Sequence, residues 1–328
     1  MKTAGEPGIQ SQSRRIVAQL YQDSGQLELA APAYARAAQA EASQEVAANL
    51  HYNSALLYQA LRQSAEALVQ YEAFSKKSKG PDRGEALWQS AQIHKENKQL
   101  AKASEAFKSY LGFPRLPMER RIEAHFEISE IAAKLGRSSE AEKERRQALQ
   151  LQRAAAPQRR GVGAAFAARI RLQEIRRQEQ EFRSLRIPKD ASKQARVVQE
   201  KIARMNKLNE ELADVIRFDS PDEIVGALQV LASVNHHMAQ SLLQSPPPAG
   251  LSPDELAQYK AGVAQVAEPF SKKALESVQR GLERARELES YGPEYRELLR
   301  VARQIQPDRI EDGTERVLDS NYVHWMGL

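Results

Sequence analysis

Catalysis or metal binding needs particular side chains at workable spacings, and the histidines are the first to test. They are His51, His94, His125, His236, His237 and His324. A helical metal pair requires two histidines at i,i+4 with a carboxylate between them, and none stands so. His51 and His125 occupy the same place in two copies of an internal pattern, which reads as packing or groove lining. His236 and His237 are adjacent and point to different sides of one helix. Gly161-Val162-Gly163 follows Arg159-Arg160 and precedes a helical stretch. A helix N-terminus beside arginines can hold an anion. The chain lacks GxxxxGK[ST] and a βαβ pattern, so nucleotide binding is not expected. No serine stands in a GxSxG elbow. With no cysteine, a thiol nucleophile, a zinc ribbon, an iron–sulfur cluster and a disulfide framework are all excluded. Carboxylate pairs are common but fall on amphipathic helices, where a solvated face is the default. No catalytic residue, cofactor or metal is expected.

The charge is more informative locally than in total. The net charge is +5. Between Arg145 and Arg186 stand eleven arginines and three glutamates, a net +8. The residues best placed for an anionic partner are Arg159, Arg160, Arg169, Arg171, Arg176 and Arg177. Such a segment can meet phosphate, an acidic protein or an anionic lipid. Only Phe166 and Phe182 interleave with it, and no nucleic-acid module is readable. An RNA- or anionic-ligand-binding regulator using residues 145–186 is therefore the alternative functional reading.

The elements that must position these groups are helices. The 328 residues are 41% hydrophobic, 28% charged and 6% aromatic, a folded composition rich in helix formers. No apolar run approaches the roughly 20 residues that span a bilayer. The first residues lack the apolar core of a signal peptide. A periplasmic or envelope-associated location is expected if a targeting segment was removed, and a cytoplasmic one otherwise.

A pattern of small–large–small–large–small residues recurs at offsets 0, 3, 12, 16 and 19. Ala18, Tyr21, Ala30, Tyr34 and Ala37 match it fully. Ala55, Tyr58, Ala67, Tyr71 and Phe74 depart at the last place. Ala91, His94, Ala103, Phe107 and Tyr110 follow more loosely, and Ser129, Ala132, Ala141, Arg145 and Ala148 keep the small residues. The starts are 37, 36 and 38 residues apart. Seven residues after each start come Gly25, Arg62, Lys98 and Gly136, and a left-handed turn is expected there. Each copy predicts two antiparallel helices that bury their apolar faces by stacking on neighbours.

On these residues the stretch 11–153 resembles the tetratricopeptide repeat (TPR) family. The resemblance implies an all-α fold: a superhelix of helical hairpins (an α-solenoid), here extended by long C-terminal helices. It also implies that the first helix of each hairpin lines a concave groove. The places that face the groove in the family carry Arg15, Gln19, Tyr52, Leu56, Trp88, Gln92, Lys95, Phe126 and Glu130. Tyr52, Trp88 and Phe126 would form an aromatic ladder, a common source of binding energy. They either contact a partner or pack under the C-terminal helices of this same chain. The family's lysine–asparagine carboxylate clamp is not met, since its places carry Arg15, Gln19, Tyr52 and Leu56.

Beyond the repeats the expected divisions are 9–156 for four hairpins, 157–218 for long helices with the arginine segment, and 219–328 for a C-terminal helical region. Helices are expected over 164–186 and about 192–217. The second has apolar positions at 3–4 spacing, and reads as packing on its neighbours or as a short coiled-coil seam. Ser220-Pro221 and Ser252-Pro253 are helix starts. A break is expected near Pro269, a further helix opens at Gly292-Pro293, and the tail 310–328 is apolar enough to dock. The stretch from Tyr259 to Leu288 is similar to the C-terminal portion of large TPR proteins of the deltaproteobacterial cell envelope, including gliding-motility types. The function expected is a non-catalytic scaffold that binds a protein, as a peptide or partner helix, in the groove.

Overall fold

The computed structural model describes residues 6–78 and 82–307. Among the described residues every regular element is a helix, and the fold is all-α. The chain divides between Leu151 and Gln152 into two compact units.

The first unit holds α1 (Glu6–Asp23), α2 (Leu27–Ala40), α3 (Gln44–Ala60), α4 (Ser64–Lys77), α5 (Asp82–Glu96), α6 (Leu100–Leu111), α7 (Met118–Lys134) and most of α8 (Ser138–Ala155). They form four hairpins, and the repeated pattern is their packing code. Ala18, Ala30 and Ala37 are fully buried, as are Ala55, Ala67, Tyr71, Ala91, Ala103, Phe107, Ser129 and Ala148. Small residues let the two helices of a hairpin approach, and Tyr71 or Phe107 fills the remaining space. Burying each such ring is worth about 2–3 kcal/mol. The cores of hairpins 1 to 3 are each closed by the first helix of the next. Leu50 of α3 joins the core of hairpin 1, Ala86 and Ile93 of α5 that of hairpin 2, and Ala124, Ile128 and Ile131 of α7 that of hairpin 3.

All four expected turns are left-handed, with φ of 72° at Gly25, 58° at Arg62, 58° at Lys98 and 73° at Gly136. In each, the next amide reaches back to the same carbonyl of the first helix. Gln26 donates to Tyr21 at 2.9 Å, Gln63 to Tyr58 at 2.8 Å, Gln99 to His94 at 2.8 Å and Arg137 to Ala132 at 2.8 Å. These six-to-one bonds satisfy helix-end carbonyls and fix the turn even where the residue is not glycine.

The second unit holds α9 (Ala164–Ser184), α10 (Ala191–Ile216), α11 (Pro221–Leu243), α12 (Pro253–Glu287) and α13 (Pro293–Ile305). α11 is its axis: Val225, Ala227, Val230, Ala232, Val234 and Met238 are buried on every side, and it packs against the other four. A Cβ on Gly226 would lie 2.6 Å from Leu172 Cδ2, and one on Gly281 would lie 2.7 Å from Leu298 Cδ2. Glycine thus sets how closely α11 meets α9 and how closely α12 meets α13. The expected segments 157–218 and 219–328 fall in this one unit, because α10 and α11 share its core. α10 packs on α9 and α11 rather than standing as a free seam.

The expected break at Pro269 is absent. α12 runs for 35 residues with Pro269 inside it. Proline forfeits one helical hydrogen bond and crowds the preceding turn, at a cost of about 3 kcal/mol. Ala267 before it and Ala274, Ser277 and Val278 after it are all buried, and packing on α11 holds both halves in line. The helix starts are as expected. Ser252 and Glu255 form a reciprocal capping box, and Pro221 and Pro293 each open their helix. The tail 310–328, with His324, lies outside the described residues.

Candidate functional site

The first helices α3, α5 and α7 present the face on which the groove residues were expected, and its makeup differs from an aromatic ladder. Trp88 is 3% exposed and Phe126 5%; Tyr52 is half-buried. Tyr52 packs on Tyr71 at 5.9 Å and Phe74 at 5.1 Å between ring centroids. Trp88 packs on Phe107 and Tyr110, each at 5.1 Å. Tyr52 and Trp88 therefore turn into the seam of their own hairpins, where the second helix offers aromatic partners at offsets 16 and 19. Phe126 is buried in a hairpin whose corresponding places are Arg145 and Ala148. Burial removes large ring areas from water and outweighs display. The register placed these residues on the correct helix, and for Tyr52 and Trp88 the aromatics opposite were the signal that they would be drawn inward.

The surface that remains is polar. Leu56 is 41% exposed, Gln19 is exposed, and Gln92, Lys95 and Glu130 are half-buried. Arg15 lies 3.6 Å from Glu41. A chain of hydrogen bonds crosses from one hairpin to the next. Tyr71 Oη donates to Gln59 Oε1 at 2.7 Å, Gln59 Nε2 to Gln89 Oε1 at 3.1 Å, and Gln89 Nε2 to Glu85 Oε1 at 2.8 Å. Lys95 of α5 then meets Glu127 of α7 at 2.7 Å. Arg120 pairs with Glu123 at 2.9 Å and lies over the Trp88 ring at 4.6 Å. Burial pushes the Glu123 carboxyl up, while Arg120 opposes that shift. Burial likewise raises the Tyr71 phenol, which stays a hydrogen-bond donor. Oriented amides between fixed charges suit a ligand that offers backbone N–H and C=O groups.

The arginine segment is matched from within. Arg159 lies 2.7 Å from Asp214, Arg160 3.8 Å from Asp219 and Arg169 2.8 Å from Glu223. Arg171 meets Glu174 at 3.0 Å, and Arg176 forks onto Glu294. Arg177 is exposed. Several of these acids lie 50 residues or more along the chain, so a count confined to residues 145–186 omits them.

His51 and His125 sit in one register and make one bond each. Nδ1 lies 2.8 Å from Gln70 Oε1 in hairpin 2 and 2.6 Å from Glu144 Oε2 in hairpin 4. They tie the two helices of a hairpin together. Among the described residues no three of His, Asp or Glu gather as a metal site, and no helix is long and apolar enough to cross a membrane.

Sequence reasoning missed Lys201, which is fully buried. Its Nζ donates to the carbonyls of Phe182 at 3.1 Å and Leu185 at 2.8 Å, lies 3.3 Å from His237 Nε2, and sits 4.3 Å over the Phe182 ring. All three ammonium hydrogens thus have an acceptor. The charge closes the C-terminal end of α9, where the helix dipole favours a cation. Burial lowers Lys201 to about 8. His237 is lowered to about 4 by burial first, then by the charges of Lys201 and Arg183. A lysine four residues ahead of Met205 in an amphipathic helix gives no sign of this role in sequence.

No family model matches the chain, and no curated protein does. Solved structures do. One is a TPR repeats protein from Bacteroides fragilis, 13% identical, with a TM-score of 0.37, covering 79% of this chain and 98% of that one. Another is a tetratricopeptide repeat protein from Parabacteroides merdae, 16% identical, with a TM-score of 0.39, covering 89% and 98%. A third is a Rap protein complexed with Competence and Sporulation Factor, 13% identical, with a TM-score of 0.33, covering 89% and 74%. The structural neighbours of this chain thus include TPR-repeat proteins.

Proposed function

We propose that the protein is a non-catalytic interaction scaffold whose first-helix face, from α3 to α7, binds an extended peptide segment of a protein partner. The observation that carries this reading is the amide chain Tyr71–Gln59–Gln89–Glu85, continued by Lys95–Glu127. An extended segment exposes one donor and one acceptor per residue, and side chains already held in place lose little entropy on meeting them. Leu56 adds an exposed apolar contact beside Gln59. The RNA reading draws less support, because most arginines it would use already face carboxylates. Residence in a bacterial envelope assembly, of the gliding-motility kind, belongs to the same proposal and rests on the C-terminal resemblance.

The test is paired affinity capture from native lysate with its membrane fraction. One bait is the wild-type chain, and the other carries Leu56→Asp, Gln92→Ala and Lys95→Ala at positions that keep the core. A protein held by the first and released by the second supports the face as the binding site. Identical captures overturn it. Fractionation of the native source tests the placement, and a clean cytosolic location would sink it.

A further inference from the structure

We propose that the outer face of α1 in hairpin 1, which no described residue covers, docks an amphipathic helix of a partner protein, one that carries carboxylates beside its apolar stripe. In each hairpin the places five and one before, and two after, the first small residue face the preceding hairpin. In hairpin 2 these are Leu50, Ser54 and Leu57. Leu50 is 6% exposed, and Ser54, fully buried, donates to the Ala31 carbonyl of α2 at 2.7 Å. In hairpin 3 Ala86 is fully buried and Ile93 1% exposed. In hairpin 4 Ala124 and Ile128 are fully buried and Ile131 1% exposed. In hairpin 1 the same places are Ser13, Val17 and Leu20. None of the described residues covers them: Val17 is 46% exposed and Leu20 61%, beside Ile16 at 52% and Ile9 at 67%. The face is built like three others that each receive a helix, the second helix of the hairpin before.

The charge chooses the occupant. Arg14 and Arg36 line a cavity of about 550 Å³ with Val17, Ala33 and Ala40. Neither has an ion pair among the described residues, whereas neighbouring Arg15 is taken by Glu41. At the place of Arg14, hairpins 2 and 4 carry His51 and His125, each met by a side chain nineteen residues on. Nineteen residues after Arg14 stands Ala33, which offers no acceptor. No described residue supplies that acceptor, both guanidiniums are exposed, and a carboxylate on a partner matches a guanidinium best. A second copy docking by the same face would set these arginines against their own kind.

The probe is a fluorescein-labelled, alanine-rich 21-residue helical peptide with leucines at i, i+4, i+7 and i+11 and glutamates flanking them. Its control has lysines in place of the glutamates. Anisotropy is read during titration with the full chain. The glutamate peptide is expected to bind at least tenfold more tightly than the control, and V17D/L20D to weaken it at least tenfold without loss of helicity. R14E/R36E is expected to reverse the preference between the two peptides. Equal binding of both peptides overturns the proposal, as does binding that V17D/L20D leaves unchanged. Dimerisation in sedimentation that L20D abolishes also overturns it, by giving the face to a second copy. Flotation with anionic vesicles that V17D/L20D abolishes would give it to a lipid surface.

Discussion

The two units solve the same problem, holding helices side by side, by different means. In the first, alanines and rings recur every 36–38 residues, and each core forms from residues close in sequence. In the second, long helices meet through groups far apart in the chain: Arg176 with Glu294 and Arg169 with Glu223. The contrast shows where composition misleads. A repeated apolar code carries its packing with it, whereas a basic run says nothing of carboxylates on other helices.

The largest test of this contrast is Phe107→Ala. The ring is fully buried, and its loss should cost about 4 kcal/mol through lost transfer energy and a cavity. Hydrogen exchange should then speed up in α5 to α7 while α11 and α12 keep their protection. Equal loosening of both units would show that they do not differ as described.

Next comes pH, which should act on the second unit. Folded His237 takes its proton near 4, against 6.5 when unfolded. Between these values the unfolded chain binds more protons, so stability is complete above 6.5 and drains as pH falls toward 4, by at most about 3 kcal/mol, less what solvent screens at this half-buried ring. Lys201 works in the alkaline window with the same sign. Its folded value is about 8 against 10.5, so stability rises with pH between those values. Thermal melts should show both slopes, with H237F reducing the acid one, to which His236, also lowered by burial, adds with the same sign, and K201M removing the alkaline one. Slopes left unchanged in those variants would assign the effect to other groups.

The smallest effect is at the turns. Arg62 and Lys98 hold left-handed backbone at φ 58°, which costs a residue with a Cβ about 1 kcal/mol. Arg62→Gly and Lys98→Gly should each raise stability by up to that amount, less the added entropy of the unfolded glycine. A loss of stability in chemical denaturation would mean that the side chains themselves hold the turns.

What was legible in the sequence follows the same division. Hairpin boundaries, turn positions and buried small residues came from the pattern, because each is fixed within about 40 residues of chain. Tyr52, Trp88 and Phe126 were placed on the correct helices, with display in the groove and packing under the C-terminal helices both left open. For Tyr52 and Trp88 the aromatics of the following helix decide the direction, and that is a packing question the register leaves open. Gly226 and Gly281 were readable in principle, since isolated glycines inside helical patterns signal close approach. Pro269 was misleading, because the packing that overrides it comes from α11. Lys201 was invisible, because its acceptors are backbone carbonyls, which every residue has.

The turns carry one more consequence. What repeats in them is a bond between two peptide groups, and the carbonyl is supplied in turn by tyrosine, tyrosine, histidine and alanine. Side-chain identity at that place is therefore free to drift while the bend is kept. In the fourth hairpin the large residues of the pattern vanish and only the small ones remain, yet the bend at Gly136 is as regular as the one at Gly25. Kinship among such hairpins is better traced through the backbone than through the letters.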